Sequence, residues 1–197
     1  MRRAACWALS AMVACGVAAA GGTAEARVTR FVVEERVPFA PGTEWGSAGS
    51  YERLRGTAFM EDDPTDPLNA VIVNLDKAPR NASGRVGFSA PFLIIKPTDI
   101  RRGNGKIWYG INNRSSCIEL SFRTFPFRPT PCNLSKVEDV GADHPFFQGG
   151  FTFVDAGWHG DALPDPTGAR LVPTFPVATN PDGTPITGPV RIEHIPM

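Results

Sequence analysis

Short stretches in which apolar and polar positions alternate run along most of the chain after residue 26. In the stretch 27–37, RVTRFVVEERV, β-branched residues alternate with charged ones, which is the pattern of a strand with one face in a core. The stretch 51–60 alternates in the same way, with Leu54 and Thr57 on opposite faces. Similar reasoning predicts strands in six further segments: 69–75, 84–97, 105–112, 149–157, 169–178 and 188–196.

Two of these predicted strands have distinctive features. NAVIVNL, at 69–75, is a continuous apolar run between polar turns, which predicts a strand buried on both faces. Pro91 lies inside 84–97, and because proline has no N–H to donate we expect a bend or a sheet edge there. Helix is scarce: we predict one short helix within 114–123 and another that ends at the glycines of 143–150.

Composition and charge narrow the class of protein. The 197 residues suffice for one domain, and 42% of them are apolar, which allows a sizeable core. The 20 glycines and 19 prolines exclude long helices. The formal net charge of zero argues against nucleic acid or an anionic membrane surface as a partner.

The first 26 residues have the layout of a secretory signal peptide. Arg2 and Arg3 form a positive start, residues 4–20 are apolar, and Ala24-Glu25-Ala26 offers a small-x-small cleavage pattern. The open alternatives are an N-terminal membrane anchor and, ranked lower, a lipoprotein acylated at Cys15. We therefore expect a periplasmic or secreted protein whose mature domain spans 27–197.

Two cysteines, Cys117 and Cys132, remain in the mature chain. In an oxidising compartment they can close a disulfide, and the alternative is a pair of free, buried thiols. No Cys/His spacing typical of zinc is present, and none of the three histidines (His144, His159 and His194) has the spacing of a metal site. We expect neither a metal nor a cofactor.

The sequence lacks the usual signatures of a hydrolytic nucleophile. A Gly-x-Ser-x-Gly elbow needs small neighbours around a strained serine, and the nearest candidate, at 87–91, ends in Pro91. No Ser-x-x-Lys occurs, and neither mature cysteine stands in a protease signature. We treat His144 and His194 as structural histidines.

Two corners that follow predicted strands carry glycine and polar residues together. One is Tyr109-Gly110-Ile111-Asn112-Asn113-Arg114, and the other is Gly157-Trp158-His159-Gly160-Asp161. In the second corner a histidine lies between two glycines and close to acids, which has the residue types of a catalytic histidine–carboxylate pair.

These corners belong to a series of unusual blocks that occur in order along 27–195. The chain resembles the N-terminal part of a secreted bacterial family of alpha/beta-hydrolase-domain proteins, and the matching blocks are Val28–Phe31, Tyr51–Gly56, Asn74–Asn81, Arg102–Gly105, Asn112–Arg114, Gly157–Asp161 and Ile186–Arg191. His159 stands where the family more often has Gln, so the resemblance does not make it an obligatory catalyst.

The resemblance implies a fold and a set of site residues. The fold is the strand-rich N-terminal portion of an α/β-hydrolase-like fold, with a mixed sheet and few short helices, and the chain is expected to be incomplete. Asn112 and Asn113 would lie on the oxyanion side. The other expected pocket residues are Arg114, Gly157, Trp158, His159 and Asp161.

In this family the nucleophile, acid and catalytic histidine come later than the two corners. The resemblance therefore implies an ester- or amide-hydrolase class, a small ester-like substrate, and a chain that is inactive alone. The alternative is a non-catalytic, β-rich extracytoplasmic module that binds its ligand through exposed Trp45, Trp108 and Trp158.

Overall fold

A computed structural model describes residues 26–111, 114–117, 131–163 and 165–189. It contains five strands and one short α-helix: β1 (Arg27–Phe39), β2 (Tyr51–Asp62), β3 (Val86–Pro97), β4 (Ile107–Gly110), α1 (Pro145–Gln148) and β5 (Thr152–Ala156). Short 3-10 helices connect them at Gly46–Ala48, Pro67–Val71, Leu75–Lys77, Ile100–Arg102 and Val137–Asp139.

The strands form one mixed sheet in the order β1-β2-β3-β5-β4. The pairs β1–β2, β2–β3 and β3–β5 are antiparallel, whereas β4 and β5 are parallel. A mixed, strand-rich sheet with few short helices is what the sequence predicts. β3 pairs with β5 only over Phe92–Ile95, so the β2–β3 ribbon extends beyond the last residue of β5.

An aromatic core covers one face of this sheet. Trp45 and Phe147 stack with ring centroids 4.9 Å apart, and Phe147 also contacts Phe153 of β5 at 4.5 Å. The hydroxyl of Tyr51 donates to the carbonyl of Phe147 at 3.0 Å, so its one polar atom is satisfied inside the core. His144 is fully buried beside Phe147, in keeping with a structural role.

Glu52, at the start of β2, is a buried carboxylate with two cationic partners. Arg36 donates two hydrogen bonds to it, at 2.7 and 2.9 Å, and Lys96 forms an ion pair with it. Burial by itself raises the pKa of Glu52, but the hydrogen bonds from Arg36 and Lys96 outweigh burial and hold this pKa below its ordinary value.

β1 is the outer strand on one side of the sheet, and its pairing with β2 is interrupted twice. The register shifts between Val28 and Arg30, and again between Val33 and Glu35. These shifts are β-bulges, which twist an edge strand and disrupt its ladder locally.

The structure corrects two of the predicted strands. Segment 69–75 is not a strand buried on both faces: it lies in 3-10 helices and turns, and Val71 and Val73 are more than four-fifths exposed. Asn74 adopts a left-handed conformation with φ 58°, which an extended strand cannot accommodate. Segment 169–178 forms only one isolated bridge, between Ser89 and Thr174.

The remaining predictions for local structure have mixed outcomes. Pro91 lies within β3, one residue outside the stretch that pairs with β5, and its carbonyl still accepts the N–H of Gly157 at 2.9 Å. The helix predicted near 143–150 is α1, which ends before Gly149. Most of the helix predicted in 114–123, nearly all of the strand predicted in 188–196 and residues 1–25 lie outside the described residues. No helix in the described part of the chain is long and apolar enough to cross a membrane.

Candidate functional site

The parallel pairing of β4 and β5 brings both corners to one edge of the sheet. Gly110, the last residue of β4, is the register partner of Asp155 near the end of β5. Because parallel strands end at the same edge, the segments after Gly110 and after Ala156 leave the sheet side by side. Ligands of open sheets with parallel strands bind in the crevice outside this carboxyl edge.

A direct contact joins the two corners. The backbone N–H of Arg114 donates to Nδ1 of His159 at 2.9 Å, and the Arg114 guanidinium pairs with Asp161 at 3.0 Å. Both side chains of this ion pair are about two-thirds exposed, so it contributes at most about 1 kcal/mol to stability. The contact fixes the relative position of two segments that are 45 residues apart in sequence.

These contacts decide the role that His159 can play. A neutral imidazole that accepts a hydrogen bond at Nδ1 carries its proton on Nε2, so the outer nitrogen is a donor and not a base. Asp161 is paired with Arg114, and Trp158 stacks on the His159 ring with centroids 3.6 Å apart. The residue types of a catalytic pair are present, but their arrangement positions a loop.

Two glycines allow the 157–161 corner to pack closely against the segment 171–175. A Cβ added at Gly157 would overlap the Leu171 carbonyl oxygen and lie 3.1 Å from the Pro173 ring. At Gly160 a Cβ would lie 2.5 Å from the Phe175 ring. Gly157 also donates its N–H to the Pro91 carbonyl at 2.9 Å, which anchors the corner to β3.

The other corner turns sharply at Arg114 and Ser115, which have φ of 49° and 69°. Ser115 is fully buried, and its carbonyl accepts the N–H of Leu171 at 2.9 Å. Its hydroxyl has no hydrogen-bond partner in the described structure, but burial keeps it away from a ligand at the sheet edge. Asn112 and Asn113, the expected oxyanion-side residues, lie outside the described residues.

A disulfide between Cys117 and Cys132 lies directly beneath this turn. The Cα atoms are 5.1 Å apart, and both cysteines are fully buried. Cys132 donates its N–H to the Ala169 carbonyl at 2.9 Å. Together, the disulfide and this hydrogen bond connect the Arg114 turn to the C-terminal segment that contacts Gly157.

An apolar groove leads from the corner across the second face of the sheet. Its volume is about 360 Å³, and it extends from Trp158 and Tyr109 to the protruding β2–β3 ribbon. Phe31 and Phe92 stack on its floor with centroids 4.2 Å apart. Its other walls include Met60, Phe88, Ile94, Val154 and Phe175.

The three tryptophans among the described residues differ in exposure. Trp45 is fully buried and Trp108 packs on Phe146 at 4.2 Å, so neither forms the exposed surface that a tryptophan-based binding module requires. Trp158 is half exposed, at 49%, and lines the groove. No group of three or more potential metal-binding side chains occurs among the residues that the structure describes.

Comparisons with protein-family models, curated proteins and solved structures find no match to this chain.

Sequence reasoning missed the contribution of segment 171–175 to the site. This segment was predicted to be a strand, yet it crosses the end of β5, and the backbone of Thr174 bonds to Ser89 in both directions. Pro173 and Pro176 on either side of Phe175 were the available signal, because two prolines so close together cannot sustain a strand ladder.

Proposed function

We propose that this chain carries the substrate-binding edge of an exported α/β-hydrolase-type domain of the ester- or amide-cleaving class, and that it has no catalytic nucleophile of its own. The observation that carries the proposal is the junction of the two corners at the carboxyl edge of the parallel pair, through Arg114, His159 and Asp161. This is the edge at which hydrolases of this type assemble their oxyanion site.

Free backbone donors at the corner support the proposal. The N–H groups of His159 and Gly160 make no hydrogen bond within the described part of the chain. Such donors can stabilise a carbonyl oxygen, and more strongly the negative charge that develops on it during acyl transfer. The apolar groove next to Trp158 offers a surface for the alkyl part of the same ligand.

The proposal is tested by titrating the mature chain with ethyl butyrate and following tryptophan fluorescence. Butyl ethyl ether is the matched ligand, because it has the same apolar length and lacks the carbonyl. One hydrogen bond to the carbonyl contributes about 1 kcal/mol, so we expect the ester to bind roughly fivefold more tightly than the ether.

Two variants test whether the fluorescence change arises at the corner of residues 157–161. Trp158→Phe should abolish the fluorescence change, because Trp158 lies where the ligand binds. Trp108→Phe should preserve it, because Trp108 packs on Phe146 away from the groove. Equal affinity for ester and ether would refute recognition of a carbonyl and favour the alternative, a non-catalytic module that binds apolar ligands.

The absence of a nucleophile is tested separately with p-nitrophenyl butyrate. We expect no hydrolysis by the mature chain above the buffer rate. Robust turnover that one serine replacement abolishes would refute this part of the proposal.

A further inference from the structure

A second cleft is lined by Gly160 and shares Phe175 with the apolar groove. Its volume is about 650 Å³, and it is bordered by Arg55 of β2, Arg170 and the apolar segment 172–177. The cleft combines two guanidinium groups with apolar and aromatic walls, a composition that the groove beside Trp158 does not have.

Arg55 differs from most arginines around the sheet in having no carboxylate partner. Arg36, Arg53 and Arg114 each form an ion pair with a glutamate or an aspartate. Arg55 is half-buried, has no carboxylate within 4.0 Å among the described residues, and donates one hydrogen bond, to the Gly168 carbonyl at 2.8 Å. A guanidinium has five N–H donors, so most of its capacity is unused.

The position of this guanidinium is built into the fold. Gly168 has a φ of +70°, and a Cβ there would lie 2.7 Å from Nη1 of Arg55. The glycine therefore lets the loop close over the guanidinium and hold it in place before a ligand binds. Burial, followed by the charge of Arg53, lowers the pKa of Arg55, which fits a cation that lacks solvent and a close counter-ion.

One carboxylate, Asp165, lines the cleft together with the two arginines. Asp165 accepts hydrogen bonds from the N–H and the hydroxyl of Thr167, at 2.9 and 2.6 Å. On the β1 side, Glu35 pairs with Arg53, and Glu34 accepts from the hydroxyl of Thr57. Arg170 makes no hydrogen bond or close ion pair within the described ranges, and its charge interacts with that of Asp165 at longer range. The cleft lining therefore holds two guanidinium groups against one carboxylate.

We propose that this cleft binds the carboxylate of a small ligand that has an apolar body. A guanidinium fork matches a carboxylate in geometry and gives strong, charge-assisted hydrogen bonds. The wall formed by Val172, Pro173 and Phe175 would contact the apolar body. Because Gly160 borders the cleft, a substrate of the neighbouring corner could carry this carboxylate, and only that extension rests on the proposed function.

The experiment is calorimetric titration of the mature chain with three probes. Benzoate has both the carboxylate and the apolar body, benzamide has nearly the same shape without the charge, and inorganic phosphate has charge without the apolar body. We expect saturable 1:1 binding of benzoate, at least tenfold weaker binding of benzamide, and weaker binding of phosphate. None of these probes is an ester, so the result is independent of the ester titration.

Three arginine variants complete the test. Arg55→Gln and Arg170→Gln should each weaken benzoate binding, by tenfold or more for Arg55, whereas Arg80→Gln removes the same charge at an exposed arginine outside the cleft and should leave it unchanged. Arg170 is exposed, so its variant remains informative if Arg55→Gln unfolds.

Three outcomes would overturn the proposal. Equal binding of benzoate and benzamide would rule out recognition of the carboxylate. Benzoate binding that Arg55→Gln and Arg170→Gln reduce no more than Arg80→Gln does would place it elsewhere. Phosphate binding as tight as that of benzoate would remove the role of the apolar wall and indicate a general anion site.

Discussion

Replacing Gly157 with alanine should destabilise the protein, because the corner at 157–161 packs directly on the backbone of segment 171–173. A Cβ added at Gly157 falls inside the 3.0 Å limit that real Cβ atoms keep, with the Leu171 carbonyl oxygen as the nearest atom. The added methyl group also has the Leu171 carbonyl carbon at 3.0 Å and the Pro173 ring at 3.1 Å. Rotating a side chain cannot relieve this overlap, because the obstructing carbonyl belongs to the backbone.

The expected loss in free energy of unfolding follows from the two segments that must move apart. The Leu171 carbonyl and the corner would have to separate by more than about half an ångström. Two hydrogen bonds hold these segments, from Leu171 to the Ser115 carbonyl and from Gly157 to the Pro91 carbonyl, each at 2.9 Å. Stretching them past their normal range loses about 1 kcal/mol each, and overpacking adds about 1–3 kcal/mol. We therefore expect a loss of about 3–5 kcal/mol.

The assay is urea unfolding of the oxidised chain of residues 27–197, followed by circular dichroism. Gly87→Ala is the matched control: Gly87 lies in β3 at an ordinary φ, and a Cβ there meets only the Met60 carbonyl at 3.9 Å. That variant should be as stable as the parent or more stable by up to about 1 kcal/mol, through lower entropy of the unfolded chain. If Gly157→Ala unfolds at the same urea concentration as Gly87→Ala, the argument from close packing is refuted.

Three further predictions concern the disulfide and two buried acids. Replacing Cys117 and Cys132 with serine should lower the free energy of unfolding by about 3 kcal/mol, because the 15-residue loop is no longer closed in the unfolded chain; an unchanged urea midpoint would contradict this. Glu52→Gln should destabilise at pH 7 and much less at pH 3, because a lowered pKa gives stability that is present above the ordinary value of 4.5 and lost as the pH falls through the lower folded-state pKa. A gap between parent and variant that stays constant from pH 7 to pH 3 would be inconsistent with that sign. Burial raises the pKa of Asp62 despite the opposing charge of Arg85, so its ionised form is penalised in the folded state at neutral pH. Asp62→Asn should therefore be at least as stable as the parent in a thermal melt at pH 7, and a clear loss of stability would show that the charge is needed.

The sequence predicted β3 well because the sheet gives both of its faces and both of its edges neighbours. In β3, Leu93 and Ile95 point into the aromatic core while Phe92 and Ile94 line the groove, so apolar residues on both faces produce the long run that was predicted. The run at 69–75 has similar composition but no neighbouring strand to pair with. An apolar segment is stabilised by burial, but its own sequence does not show whether a neighbouring strand is present to bury it.

The candidate site, too, could be predicted from the sequence only in part. The glycines of the 157–161 corner were visible in sequence, and their packing against segment 171–175 explains them. The function of the histidine between them was not visible, because it depends on a backbone N–H from Arg114, 45 residues earlier. The lack of a close carboxylate partner at Arg55 was equally hidden, because it depends on which acids pair with the other arginines.

The two bulges in β1 determine how the protein tolerates its own long outer strand. They divide the 13-residue strand into ladder runs of two, four and five residues. Fibril-forming segments typically need about six or seven consecutive residues in register. No uninterrupted run of β1 reaches that length, so the bulges let a long strand complete the sheet without offering a template on which fibrils could grow.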